Sequence, residues 1–207
     1  MKIYDITAPI SNNLPFFGDE RPAITTRAQI SNGDAYNLTW LSMSAHTGTH
    51  ADMPLHFIDR GAACDDIALT HFFGPAKVMR IAVTGHVRKA DLEPLDIQAA
   101  DIILLDTGQS AYMRQGKLRH DFIAFTLEAA EYLVQKKIKT VGLDYLSIDP
   151  YDAANYAVHK MLLGNGIAVL EGLVLEDVPE GIYTLSALPL KIPNGDGSPV
   201  RAVLVEE

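Results

Sequence analysis

His46-Thr47-Gly48-Thr49-His50-Ala51-Asp52-Met53-Pro54-Leu55-His56-Phe57 places three histidines and one aspartate within eleven residues. His46, His50, Asp52 and His56 fall at even positions, while Leu41, Met43, Ala45, Ala51, Met53, Leu55 and Phe57 fall at odd ones. Such alternation is the pattern of a half-buried extended chain. The spacing of His46 and His50 also matches the zinc-protease helix. Gly48 between two threonines is poor helix, however, and no glutamate follows His46, so that reading fails. A straight strand rising about 3.3 Å per residue would hold the two histidines roughly 13 Å apart, too far for one zinc with bonds of about 2.0 to 2.1 Å. Either the chain bends at Thr47-Gly48-Thr49 or the histidines serve different centres; a glycine inside a strand pattern favours the bend. Asp52 is close enough to His50 to share a metal, and His56, beyond Pro54, stands beside it. A lone histidine is more often hydrogen-bonded structure than a ligand, but four metal-competent residues on one face reverse that balance.

Outward from this motif the sequence reads as short strands. Ile3 to Thr7 opens the chain, and Ile24 to Ile30 with Asn37 to Ala45 predicts a hairpin around Asn32-Gly33-Asp34. Between them, Asn13 to Asp19 is a loop punctuated by Pro15 and Gly18 that displays Phe16 and Phe17, as core plugs or as a substrate-facing lid. Lys77 to Val83 and Ile102 to Leu105 predict strands, the second apolar throughout and so buried on both faces. Thr126 to Lys137 has helical spacing with Thr126 as N-cap. Thr140 to Leu143 is a strand ending at Asp144, Ala153 to Leu163 a helix closed by Gly164 and carrying His159, and Gly166 to Leu170 a strand ending at Glu171. Ile182 to Ala187 and Val200 to Val205 complete the strands. Hairpins mixed with a strand-helix-strand passage predict a mixed α+β or α/β fold on a curved or barrel-like sheet with helices packed outside.

With 207 residues, the chain is expected to form one domain, residues 1–207. Seventeen basic against twenty-six acidic residues, a net charge of −9, argue against nucleic acid as partner. No apolar run approaches the roughly 20 residues that cross a bilayer, and the first residues lack a secretory signal's apolar stretch; a cytoplasmic protein without a membrane partner is expected. The single cysteine, Cys64, cannot form an internal disulfide and reads as a packing residue.

A catalytic metal site built from one strand would be unusual, so distant partners are sought. Glu171 ends an apolar strand, where a carboxylate needs a cation or donors to offset desolvation. His159 lies twelve residues earlier, across the Gly164-Asn165-Gly166 turn. A helix that turns back into a strand would bring both to one place.

The motif resembles the H-x-G-T-H-x-D-x-P-x-H-F signature of the metal-dependent cyclase-like hydrolases, the family of bacterial kynurenine formamidase (arylformamidase) and isatin hydrolase. The resemblance extends to Tyr4 through Ile10, the Pro15 to Asp19 loop, Ser147-Ile148-Asp149-Pro150, and Leu163 through Gly166 leading to Glu171-Gly172-Leu173. It implies a swivelling β/β/α fold and a homodimer or homotetramer. It also implies that His46, His50 and Asp52 bind one metal and that Asp52 bridges to a second ion held by His159 and Glu171. His56 becomes the general acid/base. Zinc, or else manganese, is the implied ion, since imidazole and carboxylate ligands suit both.

The leading expectation is hydrolysis of N-formyl-L-kynurenine to L-kynurenine and formate, a step of tryptophan catabolism. Two metals would activate a water whose proton His56 takes and returns to the leaving amine. Phe16, Phe17 or Trp40 would stack on the aryl ring. Two positions depart from the formamidase pattern: Tyr145-Leu146 follow Asp144, and Asp106 stands where an arginine is common, both near the expected pocket. Another cyclic or linear amide, as for an isatin hydrolase, is the alternative substrate class, although Glu171 counts against it. A structural metal or a non-catalytic ligand-binding domain is the alternative from another class.

Overall fold

A computed structural model describes residues 1–15 and 21–206. The strands are β1 (Lys2–Asp5), β2 (Ala23–Ala28), β3 (Leu38–Ser42), β4 (His50–Asp52), β5 (Phe73–Arg80), β6 (Ile102–Asp106), β7 (Thr140–Leu143), β8 (Ala168–Glu171), β9 (Gly181–Ser186), β10 (Gly197–Pro199) and β11 (Val203–Glu206). The α-helices among the described residues are α1 (Lys89–Leu92), α2 (Ser110–Arg114), α3 (Leu127–Lys136) and α4 (Ala157–Gly164). None is long and apolar enough to cross a membrane.

Nine strands form one curled sheet in the order β1-β11-β9-β5-β6-β7-β8-β4-β10. Its centre, β5 to β8, is parallel, and the flanks are antiparallel. The continuous apolar runs belong to this centre because both of its faces are covered. Ile103, Leu105, Val141, Leu143 and Val169 pack under the helices with Leu133, Val158 and Leu162. The alternate residues Ile102, Leu104, Ala168 and Leu170 point into the other core with Ala51, Met53, Phe72 and Leu185. The mixed fold on a curved sheet expected from the sequence is therefore present.

Most elements lie where the sequence places them. Thr126 caps α3, its Oγ1 accepting from Ala129 N at 3.3 Å. The helix carrying His159 starts at Ala157 rather than Ala153, because Tyr156 adopts a left-handed backbone (φ 51°) that ends the preceding loop. The motif itself is not one half-buried strand. Only His50–Asp52 is strand, lying between β8 and β10 and buried on both sides. Cys64 is buried, its thiol donating to Gly197 O at 3.2 Å.

Asp144 is buried just beyond β7 and organises the turn from β6 into α2. Its carboxylate accepts from Thr107 N (3.1 Å), Thr107 Oγ1 (2.5 Å), Gln109 N (2.7 Å) and Ser110 N (3.2 Å). Burial pushes its pKa up to about 6 despite these bonds. Asp144→Ala, which strands these donors, is expected to lower the unfolding free energy in urea by about 3 kcal/mol. Because the folded pKa lies above the unfolded value, the stability this carboxyl contributes is present below about pH 4 and lost as pH rises through about 6. The stability advantage of the wild type over Asp144→Asn should shrink across that window.

Candidate metal centre

The bend anticipated at Gly48 is real. Gly48 has φ 70°, in the left-handed region where a side chain is disfavoured. The bend directs its carbonyl at His50, whose Nδ1 donates to Gly48 O at 2.9 Å. That bond fixes the tautomer and presents Nε2 to Asp52 Oδ1 and Glu171 Oε2, each at 3.3 Å. His46 precedes the bend and folds back, so its Nδ1 lies 2.8 Å from Asp52 Oδ1. The ring fits because residue 197 is glycine; a Cβ there would collide with the His46 imidazole. His46 and His50 thus meet at one carboxylate, with ring centroids 5.2 Å apart.

The second half of the cluster comes from β8 and α4. Glu171 is the last residue of β8 and pairs in register with His50 of β4. Its Oε1 accepts from Ile148 N at 2.7 Å and lies 3.0 Å from His159 Nε2. The same His159 nitrogen is 3.3 Å from Asp52 Oδ2. Behind the ring stands Asp149, which enters the sequence analysis only as part of the Ser147 to Pro150 match. Its carboxylate accepts from Val158 N (3.1 Å) and His159 N (3.0 Å) at the start of α4, and from His159 Nδ1 (2.6 Å). One aspartate therefore caps the helix and sets the histidine's orientation. The signal available was general: a ligand histidine usually donates its other N–H to a carboxylate or carbonyl.

Asp52 is the centre of the arrangement. It is buried, and its Oδ2 is the single buried side-chain oxygen among the described residues with no hydrogen-bond partner. Burial alone would raise its pKa, but His159, His46 and His50 overcome this and hold it well below the usual carboxylate range. Burial likewise opposes the charged form of His50, yet Asp52 and Glu171 raise its pKa to about 10. Two buried carboxylates with three imidazole nitrogens aimed at them, one oxygen lacking any hydrogen bond, form a donor set suited to a divalent cation. His50, Asp52 and Glu171 offer ligand atoms within 4.8 Å of one another, and so do His46, Asp52 and His56.

His56 lies on a short 3-10 turn, Pro54–His56, and stacks on His46 with ring centroids 3.9 Å apart. Asp196 was not singled out in the sequence, where Asn194-Gly195-Asp196-Gly197 reads only as a turn. Its Oδ2 accepts from His56 Nδ1 (3.2 Å) and His46 Nε2 (3.1 Å). Burial lowers the pKa of His56 despite the nearby carboxylates, so the ring is biased toward the neutral form a base requires.

These groups open onto a cavity of about 680 Å³ walled by Phe57, Leu146, Tyr151 and Tyr156. Phe57 also packs on His159, with centroids 4.6 Å apart. The sequence expectations for the substrate fare differently. Phe16 and Phe17 lie outside the described residues. Trp40 does not line this cavity; it sits on β3, 57% exposed. Asp106 and Tyr145 are also not among the lining residues. Asp106 pairs with Arg80 at 2.8 Å, and the buried Tyr145 hydroxyl donates to Lys117 O at 2.7 Å. Both hold the scaffold.

Residues 4–150 match the family model described as putative cyclase. The chain is 35% identical to a kynurenine formamidase of Erythrobacter litoralis, over 99% of this chain and 94% of that protein. Among solved structures, a potential metal-dependent hydrolase with cyclase activity is 36% identical with a TM-score of 0.86, covering 98% of this chain and 96% of the other. Isatin hydrolase A from Ralstonia solanacearum is 26% identical with a TM-score of 0.85, covering 99% and 92%. The motif, the paired carboxylates and the matching fold agree: this chain belongs to the cyclase family of metal-dependent hydrolases.

Proposed function

We propose that this chain is an arylformamidase, a two-metal amide hydrolase whose substrate is N-formyl-L-kynurenine and whose products are L-kynurenine and formate. The observation that carries the reading is Asp52: its two oxygens face two different donor sets, Oδ1 toward His46 and His50 and Oδ2 toward His159. In this reading His46, His50 and Asp52 would hold one ion, and Asp52, His159 and Glu171 would hold the other, zinc before manganese. Bound there, the ions supply Lewis acidity, which lowers the pKa of water and polarises a carbonyl.

The remaining work falls to the chain. With Nδ1–H committed to Asp196, the free nitrogen of neutral His56 is Nε2. It accepts a proton from water as the water oxygen bonds to the formyl carbon. It returns that proton to the amine nitrogen as the C–N bond breaks, so charge and protons balance. Phe57, Tyr151 and Tyr156 give the cavity an aromatic wall for an aryl substrate. The reading places the whole site on one domain of residues 1–207, in a cytoplasmic homo-oligomer. The isatin hydrolase likeness supports a cyclic amide as the second substrate class to test.

Purified, metal-reconstituted protein is expected to release formate from N-formylkynurenine faster than from isatin; the reverse order would reassign the substrate. His56→Ala is expected to lower kcat by about 100-fold or more while elemental analysis finds its metal content nearly unchanged. Metal loss in that variant would make His56 a ligand instead. Fully loaded wild type is expected to hold close to two ions per chain and Glu171→Gln fewer; a count fixed at one in both would remove the bridging role of Asp52.

A further inference from the structure

Among the described residues, the non-glycine positions with positive φ are Arg60, Ala100, Lys137, Tyr156 and Asn194. Tyr156 (φ 51°, ψ 49°) is the aromatic member of this set, and it alone lines the cavity. In the left-handed region Cβ crowds the following carbonyl, so a bulky residue there is strained and must be held by its surroundings.

Packing and capping give little reason for a tyrosine at this position. Its side chain stays 50% exposed and makes no capping hydrogen bond to α4. Glycine would begin the same helix without the strain. What the ring does have is a place beside the proposed acid/base. Phe57 meets His56 with ring centroids 4.2 Å apart and planes at 68°, and meets Tyr156 at 5.2 Å and 38°. His56, Phe57 and Tyr156 therefore follow one another along the cavity wall.

That order constrains the substrate. In the mechanism proposed above, His56 returns its proton to the amide nitrogen, so a group resting on Phe57 and Tyr156 lies next to that nitrogen. Stacking on aromatic faces favours a flat group with its own π-system. An aryl ring bonded directly to the amide nitrogen meets both conditions, whereas an alkyl ring is not flat and an aryl ring several bonds away is not adjacent.

We infer that Tyr156 is a specificity-determining residue whose ring, continued by Phe57, selects amides with an aryl group on nitrogen, and that the left-handed backbone at 156 serves to aim it. The inference rests on the amide-hydrolase reading of the site and names the feature of the substrate that the site selects. Its readout is binding without turnover, so it fails separately from hydrolysis.

Acetanilide and N-cyclohexylacetamide are amides of similar size that differ in having an aryl or an alkyl ring on nitrogen. Their dissociation constants can be read by ligand NMR titration of metal-reconstituted protein, over times in which neither is hydrolysed. Wild type is expected to bind acetanilide more tightly. Tyr156→Gly and Tyr156→Ala should each weaken acetanilide by about 10-fold and change N-cyclohexylacetamide much less, while Tyr156→Phe keeps the wild-type preference. In urea, Tyr156→Gly should be more stable than Tyr156→Ala, because alanine retains the left-handed strain without the ring. Equal binding of the two amides by wild type, equal loss of both in the glycine variant, or loss of the preference in Tyr156→Phe would each overturn the inference. An alanine variant more stable than the glycine one would remove the backbone part of it.

Discussion

The buried carboxylate of Asp52 is the constraint around which this molecule is arranged. A charge out of water must be neutralised or must lose its ionisation. Here the neutralising imidazoles arrive from three parts of the chain, His46 before the bend, His50 on the same strand and His159 from a helix, and Glu171 on the neighbouring strand is a second negative charge that shares His50 and His159. The parallel centre of the sheet fixes β8, β8 fixes β4 by register, and the capping of α4 by Asp149 fixes His159. Each element is ordinary; their convergence makes a centre that accepts a cation.

Around this centre the carboxylates do different work. Asp52 and Glu171 face the candidate ions, whereas Asp149 and Asp196 hold the outer nitrogens of the histidines. Asp144, equally buried, accepts instead from the amides and hydroxyls of the turn after β6. Burial and acidity alone therefore do not mark a functional residue in this protein. What separates the groups is whether their partners include histidines that open onto the cavity or only the amides and hydroxyls of a turn.

Much of this was legible beforehand, because local chemistry is written locally. Gly48 and the reach of an extended chain disclosed the bend, apolar runs disclosed the doubly covered strands, and Thr126 disclosed the start of α3, whereas alternation overstated the length of β4. The resemblance supplied His159 and Glu171, which spacing alone only nominated. What stayed hidden depends on tertiary contact. Asp149 and Asp196 sit in turn-like sequence, and nothing local distinguishes an aspartate that caps a turn from one that orients a histidine 10 or 140 residues away. The cavity wall is hidden for a related reason: Trp40 looks like a stacking residue by type, but its strand belongs to the separate hairpin and it does not line the cavity, which Phe57, Tyr151 and Tyr156 do.

The order of strands in the sheet has a bearing on how the protein is made. β4, which carries two of the candidate ligands, is paired on one side by residues 168–171 and on the other by residues 197–199, and β1 is paired by residues 203–206. On a ribosome, the motif at His46 to His56 therefore emerges long before the strands that close over it. One edge of β4 stays unpaired until residues 197–199 have been made. Edge-to-edge misassociation is the hazard of that interval, and pairing of β4 with β10 is the step that ends it.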